Sequence, residues 1–123
     1  MNKYQRVKSS DAEKDIIQHL LDLGFSFYIE KSFEDCINPK TGQKLRFDFY
    51  IPKLNLCIEY DGRQHFEEVS DFKTQSYNLS SQKEKDCLKS EYCQLKEIHL
   101  LRISYQDKMR LKEIINNYLK VIG

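Results

Sequence analysis

Apolar residues recur at two spacings along this chain, and each change of spacing marks the border of an element. Ala12, Ile16, Leu20 and Leu23 stand three or four apart, the period of one helical face. Ser10-Asp11-Ala12-Glu13 reads as a capping box in front of them. Gly24 follows, as the residue that ends a helix in left-handed backbone. The pattern predicts a first helix over 10–23. FSFYIEKSF (25–33) is rich in strand formers and predicts a strand, and NPKTGQK (38–44) is turn chemistry. LRFDFYI (45–51) alternates: Phe47, Phe49 and Ile51 fall on one face, Arg46, Asp48 and Tyr50 on the other. Pro52 ends it and Lys53-Leu54-Asn55 makes a short turn. LCIEYD (56–61) alternates again, with Leu56, Ile58 and Tyr60 facing one way and Cys57, Glu59 and Asp61 the other.

From Gly62 to Ser80 the chain is polar and shows no element, so a long loop is predicted there, a length usually tied to function. Ser81-Gln82-Lys83-Glu84 reads as a second capping box. Leu88, Tyr92 and Leu95 give the helix after it a narrow apolar stripe. IHLLRI (98–103) is a fourth strand. Met109, Leu111, Ile114, Ile115, Tyr118 and Leu119 make a last helix over 107–121. The order α-β-β-β-α-β-α describes one α/β domain over 1–123, a three-stranded meander followed by a helical crossover. Such a crossover requires at least one parallel strand pair, hence a mixed four-stranded sheet with a C-terminal helix.

Composition narrows the picture without deciding it. A length of 123 residues suffices for one domain with a real core. No apolar run approaches the roughly 20 residues of a membrane span. MNKYQRVKSSDAEKD lacks the apolar centre of a secretory signal, so no membrane partner and an intracellular, cytoplasmic setting are expected. Cys36, Cys57, Cys87 and Cys93 form no CxxC pair, which argues against structural zinc and for reduced thiols. Net charge is +1 and says nothing about a polyanionic partner. Its distribution says more. Lys40, Lys44, Arg46 and Lys53 outweigh Asp48 in one stretch. Glu59, Asp61, Glu67, Glu68 and Asp71 outweigh Arg63 in the next. An acidic centre with basic flanks suits cations held beside a polyanion.

The chemistry concentrates in Asp48, Glu59, Asp61 and His65, within eighteen residues. Acids are depleted in strands, and a buried acid is costly unless paired or bound to metal. Oxygen donors at the ends of neighbouring strands suit a hard cation such as Mg²⁺. Asp48 and Glu59 are the first ligand pair, and Asp61 lies two residues further along the same face. His65 follows the strand, and histidine as a residue type suits general acid–base work near neutrality.

The run FDFYIP…LCIEYDGRQHF followed by KDCLKSEYCQLKEIHLLRISY resembles the PD-(D/E)XK nuclease superfamily. Within it, the chain is similar to very-short-patch repair (Vsr) endonucleases and to the EDxHD homing endonucleases. The resemblance covers about 10–105 and implies a restriction-endonuclease-like αβββαβ core. It implies a metal-dependent endonuclease on double-stranded DNA, of homing or nicking type, using Mg²⁺ with Mn²⁺ as a substitute. It matches the family's helix glutamate to Glu13, its strand aspartate to Asp48 and its variable position to Glu59, with Asp61 as competitor. His65 matches the base or proton shuttle, and Asp86 the last aspartate. Asp61 stands where the superfamily carries a lysine, so water activation falls to His65. Position 47 is Phe rather than the leading proline.

Two of these matches have simpler accounts. Glu13 completes the capping box, and Asp86 lies on the helix side away from Leu88, Tyr92 and Leu95, where acids are normally solvated. Arg46, Arg63, Gln64, Lys83, Lys85 and Lys89 are the candidate nucleic-acid contacts. A homodimer would supply the two centres needed to cut both strands. The rival expectations are a nucleic-acid-binding module of the same fold that does not cut, and a junction or RNA nuclease. With no helix-turn-helix or zinc finger, specificity would come from the 62–80 loop and a partner subunit, or from the rest of a longer protein.

Overall fold

The computed structural model describes residues 11–62 and 72–123, with the helical backbone alone described over 72–80. The elements are α1 (Asp11–Asp22), β1 (Tyr28–Ile37), β2 (Lys44–Ile51), β3 (Leu56–Asp61), α2 (Phe72–Lys96), β4 (His99–Ser104) and α3 (Leu111–Ile122). Short 3-10 turns occupy Pro52–Leu54 and Tyr105–Arg110. The four strands form one sheet in the order β1-β2-β3-β4. The first two pairings are antiparallel, and β3–β4 is parallel because α2 carries the chain across. The mixed α/β sheet with its C-terminal helix is the architecture the periodicities predict.

Local chemistry explains the ends. Gly24 takes φ +82, so that Gly24 N donates to Leu21 O and Phe25 N to Leu20 O, the paired bonds of a Schellman stop. Asn55 takes φ 50 at the β2–β3 turn, and its side chain ties Tyr50 Oη to Glu97 O.

Two clusters sandwich the sheet. On one face α1 and α3 bury Ile16, Leu20, Leu111 and Ile115 against Phe49, Ile51, Leu56, Ile58 and Ile103. On the other, α2 lays Cys93, Leu88 and Tyr92 over Leu45, Phe47, Cys57 and Cys36. Side chains alternate regularly along β3: Leu56 and Ile58 enter the first cluster, Cys57 the second.

Four expectations change. Residues 72–80 are helix, so the second capping box at Ser81 lies inside α2 instead of opening it. That stretch has few apolar residues to give helical period, so its pattern reads as loop. Second, β1 spans Tyr28–Ile37 rather than 25–33, because its partner β2 sets its length. Third, Leu23 and Leu95 are exposed, Leu95 by 79%. Ile17 joins the α1 face in Leu23's place, and the packed line of α2 runs through Lys89 and Cys93. Finally, Phe47 does not share a face with Phe49. Leu45 and Phe47 pack under α2, Phe49 and Ile51 under α1 and α3. The β2 alternation therefore breaks at Asp48. In β1 the register sets Glu30 opposite Asp48, and Glu30 takes the left-handed φ of 55, costly for a residue with a Cβ. Ile29 packs in the first cluster and Phe33 in the second, so both strands change face at one row.

Candidate active site

The candidate site is built at that break. The β2–β3 ladder pairs Ile51 with Leu56, Tyr50 with Cys57 and Phe49 with Ile58. One residue on, carboxylates take over. Asp48 N donates to Glu59 Oε2 at 2.9 Å, and Tyr60 N donates to Asp48 Oδ2 at 2.8 Å. Each acid accepts the amide proton of the facing strand, the role a backbone carbonyl plays elsewhere in the ladder. Glu59 is 4% exposed. Its second oxygen, Oε1, lies 2.6 Å from Lys89 Nζ, and Lys89 is itself buried at 8%. The ammonium also stands 5.4 Å from the centre of the Phe47 ring. A buried charge pair of this kind holds only if each partner remains.

Asp48 is the strained acid of the pair. Its pKa is pushed up to about 7, first by burial and then by the Glu59 charge. The Tyr60 amide pulls the other way, Glu13 adds a smaller upward push and Lys89 a smaller downward one. Glu13, on α1, and Glu59, facing α2, thus act on Asp48 from opposite sides of the sheet. A carboxyl in this setting holds a proton near neutrality or takes a cation.

A second group sits beside the first. Arg102 of β4 stands 3.4 Å from Asp86 and 3.9 Å from Asp61 through Nη1, and its Nη2 donates to Asp86 O and Ser90 Oγ. The register explains the meeting, because β4 pairs Arg102 with Glu59 and Ser104 with Asp61.

The sequence-predicted residues therefore divide. Asp48 and Glu59 come together and Glu13 is near enough to act on Asp48. Asp61 and Asp86 gather on a different cation. Asp86 is a correction: it is half-buried on the packed line of α2 with Lys89 and Cys93, not on a solvated side. Lys89 is another: it is a buried partner of Glu59 rather than a surface contact. Arg46, Lys83 and Lys85 are exposed, while Arg63, Gln64 and His65 lie outside the described residues. Sequence reasoning passed over Arg102, although a charge between Leu101 and Ile103 in an apolar strand is the signal that exposed Asp48.

The donors suit a hard cation by type, and Asp48 and Glu59 are adjacent. Among the described residues, however, no three His, Cys, Asp or Glu side chains form a group that could hold a metal ion. All four cysteines are free thiols, three of them buried. No helix among the described residues is long and apolar enough to cross a membrane.

The chain is similar to viral proteins. It is 44% identical over 73 residues to uncharacterized protein 094L of Frog virus 3, covering 58% of this chain and 47% of that protein. It is 32% identical over 91 residues to uncharacterized protein 307L of Invertebrate iridescent virus 6, covering 70% of this chain and 46% of that one. A third relative, uncharacterized protein 033L of Invertebrate iridescent virus 3, is 31% identical over 72 residues, 58% of this chain and 37% of that protein. The chain thus spans less than half the length of these relatives. No family model matches it, and no solved structure does.

Proposed function

We propose that this domain is a metal-dependent phosphodiester hydrolase acting on DNA, an endonuclease of homing or nicking type. The observation that carries the reading is Asp48. It is a strand acid held at a break in the ladder, raised to about 7 by burial and by Glu59, in an α-β-β-β-α-β order like that of the superfamily the motifs resemble. Structural proteins gain little from such an acid, whereas perturbed carboxylates cluster at reactive sites. Asp48 and Glu59 would hold Mg²⁺ or Mn²⁺. The ion would supply charge stabilisation at the phosphoryl oxygens and a more acidic bound water. Lys89 holds Glu59 in place by a 2.6 Å contact and brings to the site a cation that position 61 lacks. His65 is the proposed base. Arg102 fixes Asp61 and Asp86 next to the centre.

The viral relatives suit work inside a host cell, and cutting both strands in one event would call for a homodimer. Supercoiled plasmid incubated with and without Mg²⁺ tests the proposal. Wild type is expected to nick only with metal, and Asp48→Asn to lose nicking while still binding. Equal nicking by Asp48→Asn would sink it.

One observation favours a second reading. Both oxygens of Glu59 already have partners, as expected of a binding module whose acids are structural. That reading predicts DNA binding with neither nicking nor Mg²⁺ uptake. Parallel junction and RNA substrates decide whether duplex DNA is the preferred polymer.

A further inference from the structure

Beside the carboxylates, between the β1–β2 turn and α2, lies a cleft of about 340 Å³. Lys44, Arg46, Lys85 and Lys89 line it with Asn38 and Gln43, and among the described residues no acidic side chain does. In a chain with net charge +1, that is a local concentration of one sign.

The walls are held in place. Asn38 is buried, its Oδ1 accepts from Lys40 N, and its own amide donates to Gln43 O. Lys40 Nζ reaches across to Glu84 at 2.9 Å, tying the turn to α2. Two of the cations are already engaged, Lys44 with Glu34 at 3.0 Å and Lys89 with Glu59. Arg46 and Lys85 are exposed and have no ion-pair or hydrogen-bond partner among the described residues. A basic cleft with two uncommitted cations, one a guanidinium with a planar donor fork, suits phosphate oxygens. Among the described residues no aromatic side chain lines it, and an aromatic platform is what an unpaired base would stack on.

We propose that this cleft binds a backbone phosphate of the nucleic-acid strand, away from the bond that is cut. Arg46 and Lys85 make the contact, and Lys89 forms the wall shared with the Asp48–Glu59 centre. This deepens the nuclease reading and rests on it for the identity of the polymer. The strand then crosses between the 38–43 turn and α2 before reaching Asp48, two residues along β2 from Arg46.

The test measures duplex affinity against salt in EDTA, so that no cleavage enters. Wild type is compared with the double variant Arg46→Ala/Lys85→Ala, and with Lys112→Ala/Lys120→Ala on α3 across the sheet. Each lost phosphate contact lowers the slope of log affinity against log salt by about one. A slope about two units shallower for the cleft variant, about tenfold weaker binding at moderate salt, and no change for the α3 variant are expected. A slope equal to wild type would overturn the proposal. Amide shifts of the wild-type protein on duplex addition give an independent reading: changes at 44–46 and 81–85 support the cleft, and changes elsewhere alone overturn it. Inorganic phosphate is the second arm. If it saturates the same amides as tightly as the duplex does, the cleft is a free-phosphate site and the proposal fails. Failure of the carboxylate reading looks different: Asp48→Asn would then cut like wild type whatever the slope does.

Discussion

The two faces of the sheet bury different chemistry. Under α1 and α3 lie Ile16, Leu20, Phe49, Ile51, Leu56, Ile58 and Ile103, with a part-buried polar contact at the edge, His19 Nε2 to Asn116 Oδ1, at 2.8 Å. Under α2 lie three thiols and the Glu59–Lys89 pair, with the basic cleft opening beside them. The first face is packed by dispersion and by removing apolar surface from water, which tolerates no gap but requires no particular partner. The second depends on matched charges, each of which becomes a liability if its partner goes. Buried charge is thus concentrated on the α2 face, and the row at Asp48, where the strands change face, is where the two faces meet.

The sharpest way to break that contrast is to damage each face in kind. Ile58→Ala removes a fully buried side chain from the apolar face and is expected to cost about 2–5 kcal/mol, read by urea unfolding, without changing the pH dependence of stability. Lys89→Met leaves Glu59 charged and unpaired and is expected to cost about 3 kcal/mol. Here, unlike the first case, a second change should repair the damage: Lys89→Met/Glu59→Gln should recover most of the loss. If the double variant is no better than the single one, the pair is not the organising feature of the α2 face.

Asp48→Asn sharpens the contrast through pH. The folded-state pKa of about 7 lies above the ordinary carboxylate value of 3.8. The native state therefore binds the proton more tightly than the unfolded chain does. That contribution to stability is present at low pH and is lost as pH rises from about 4 through about 7. Asparagine keeps an oxygen for the Tyr60 amide but never ionises. The variant should be more stable than wild type by about 1 kcal/mol or more above pH 7, with a flatter profile below it. A wild-type profile that rises between pH 4 and 7 on account of this residue would contradict the assignment. The smallest effect is expected far from the site. Glu97 ends α2 at φ 59, with Ile98 N donating to Cys93 O. Glu97→Gly should relieve about 1 kcal/mol or less, seen as a modest rise in Tm.

Much of the apolar face was legible beforehand because it follows from period alone. Leu56, Ile58 and Tyr60 point as alternation requires, and Ile16 and Leu20 as helical spacing requires. The candidate site was half legible. Asp48 and Glu59 stand out as acids in apolar strands whatever the fold, and Arg102 would have stood out by the same criterion. Lys89 and Asp86 could not be sorted from surface charges, because α2 has almost no apolar rhythm to mark its buried line. Phe47 was misplaced because alternation assumes an unbroken strand, and the break at Asp48 depends on Glu30 in a different strand.

What the sequence by itself determined is what travels with local spacing: the elements, most of their ends, the mixed α/β order and the presence of acids where strands ought to be apolar. Tertiary structure alone decided the pairings. Lys89 meets Glu59 thirty residues away in the chain, Arg102 meets both Asp61 and Asp86, and the turn at 38–43 meets α2 to enclose the cleft. The reason is physical. Periodicity records which side of an element is buried, whereas the partner of a buried charge is fixed only when the parallel β3–β4 pairing and the α2 crossover bring distant segments to one place.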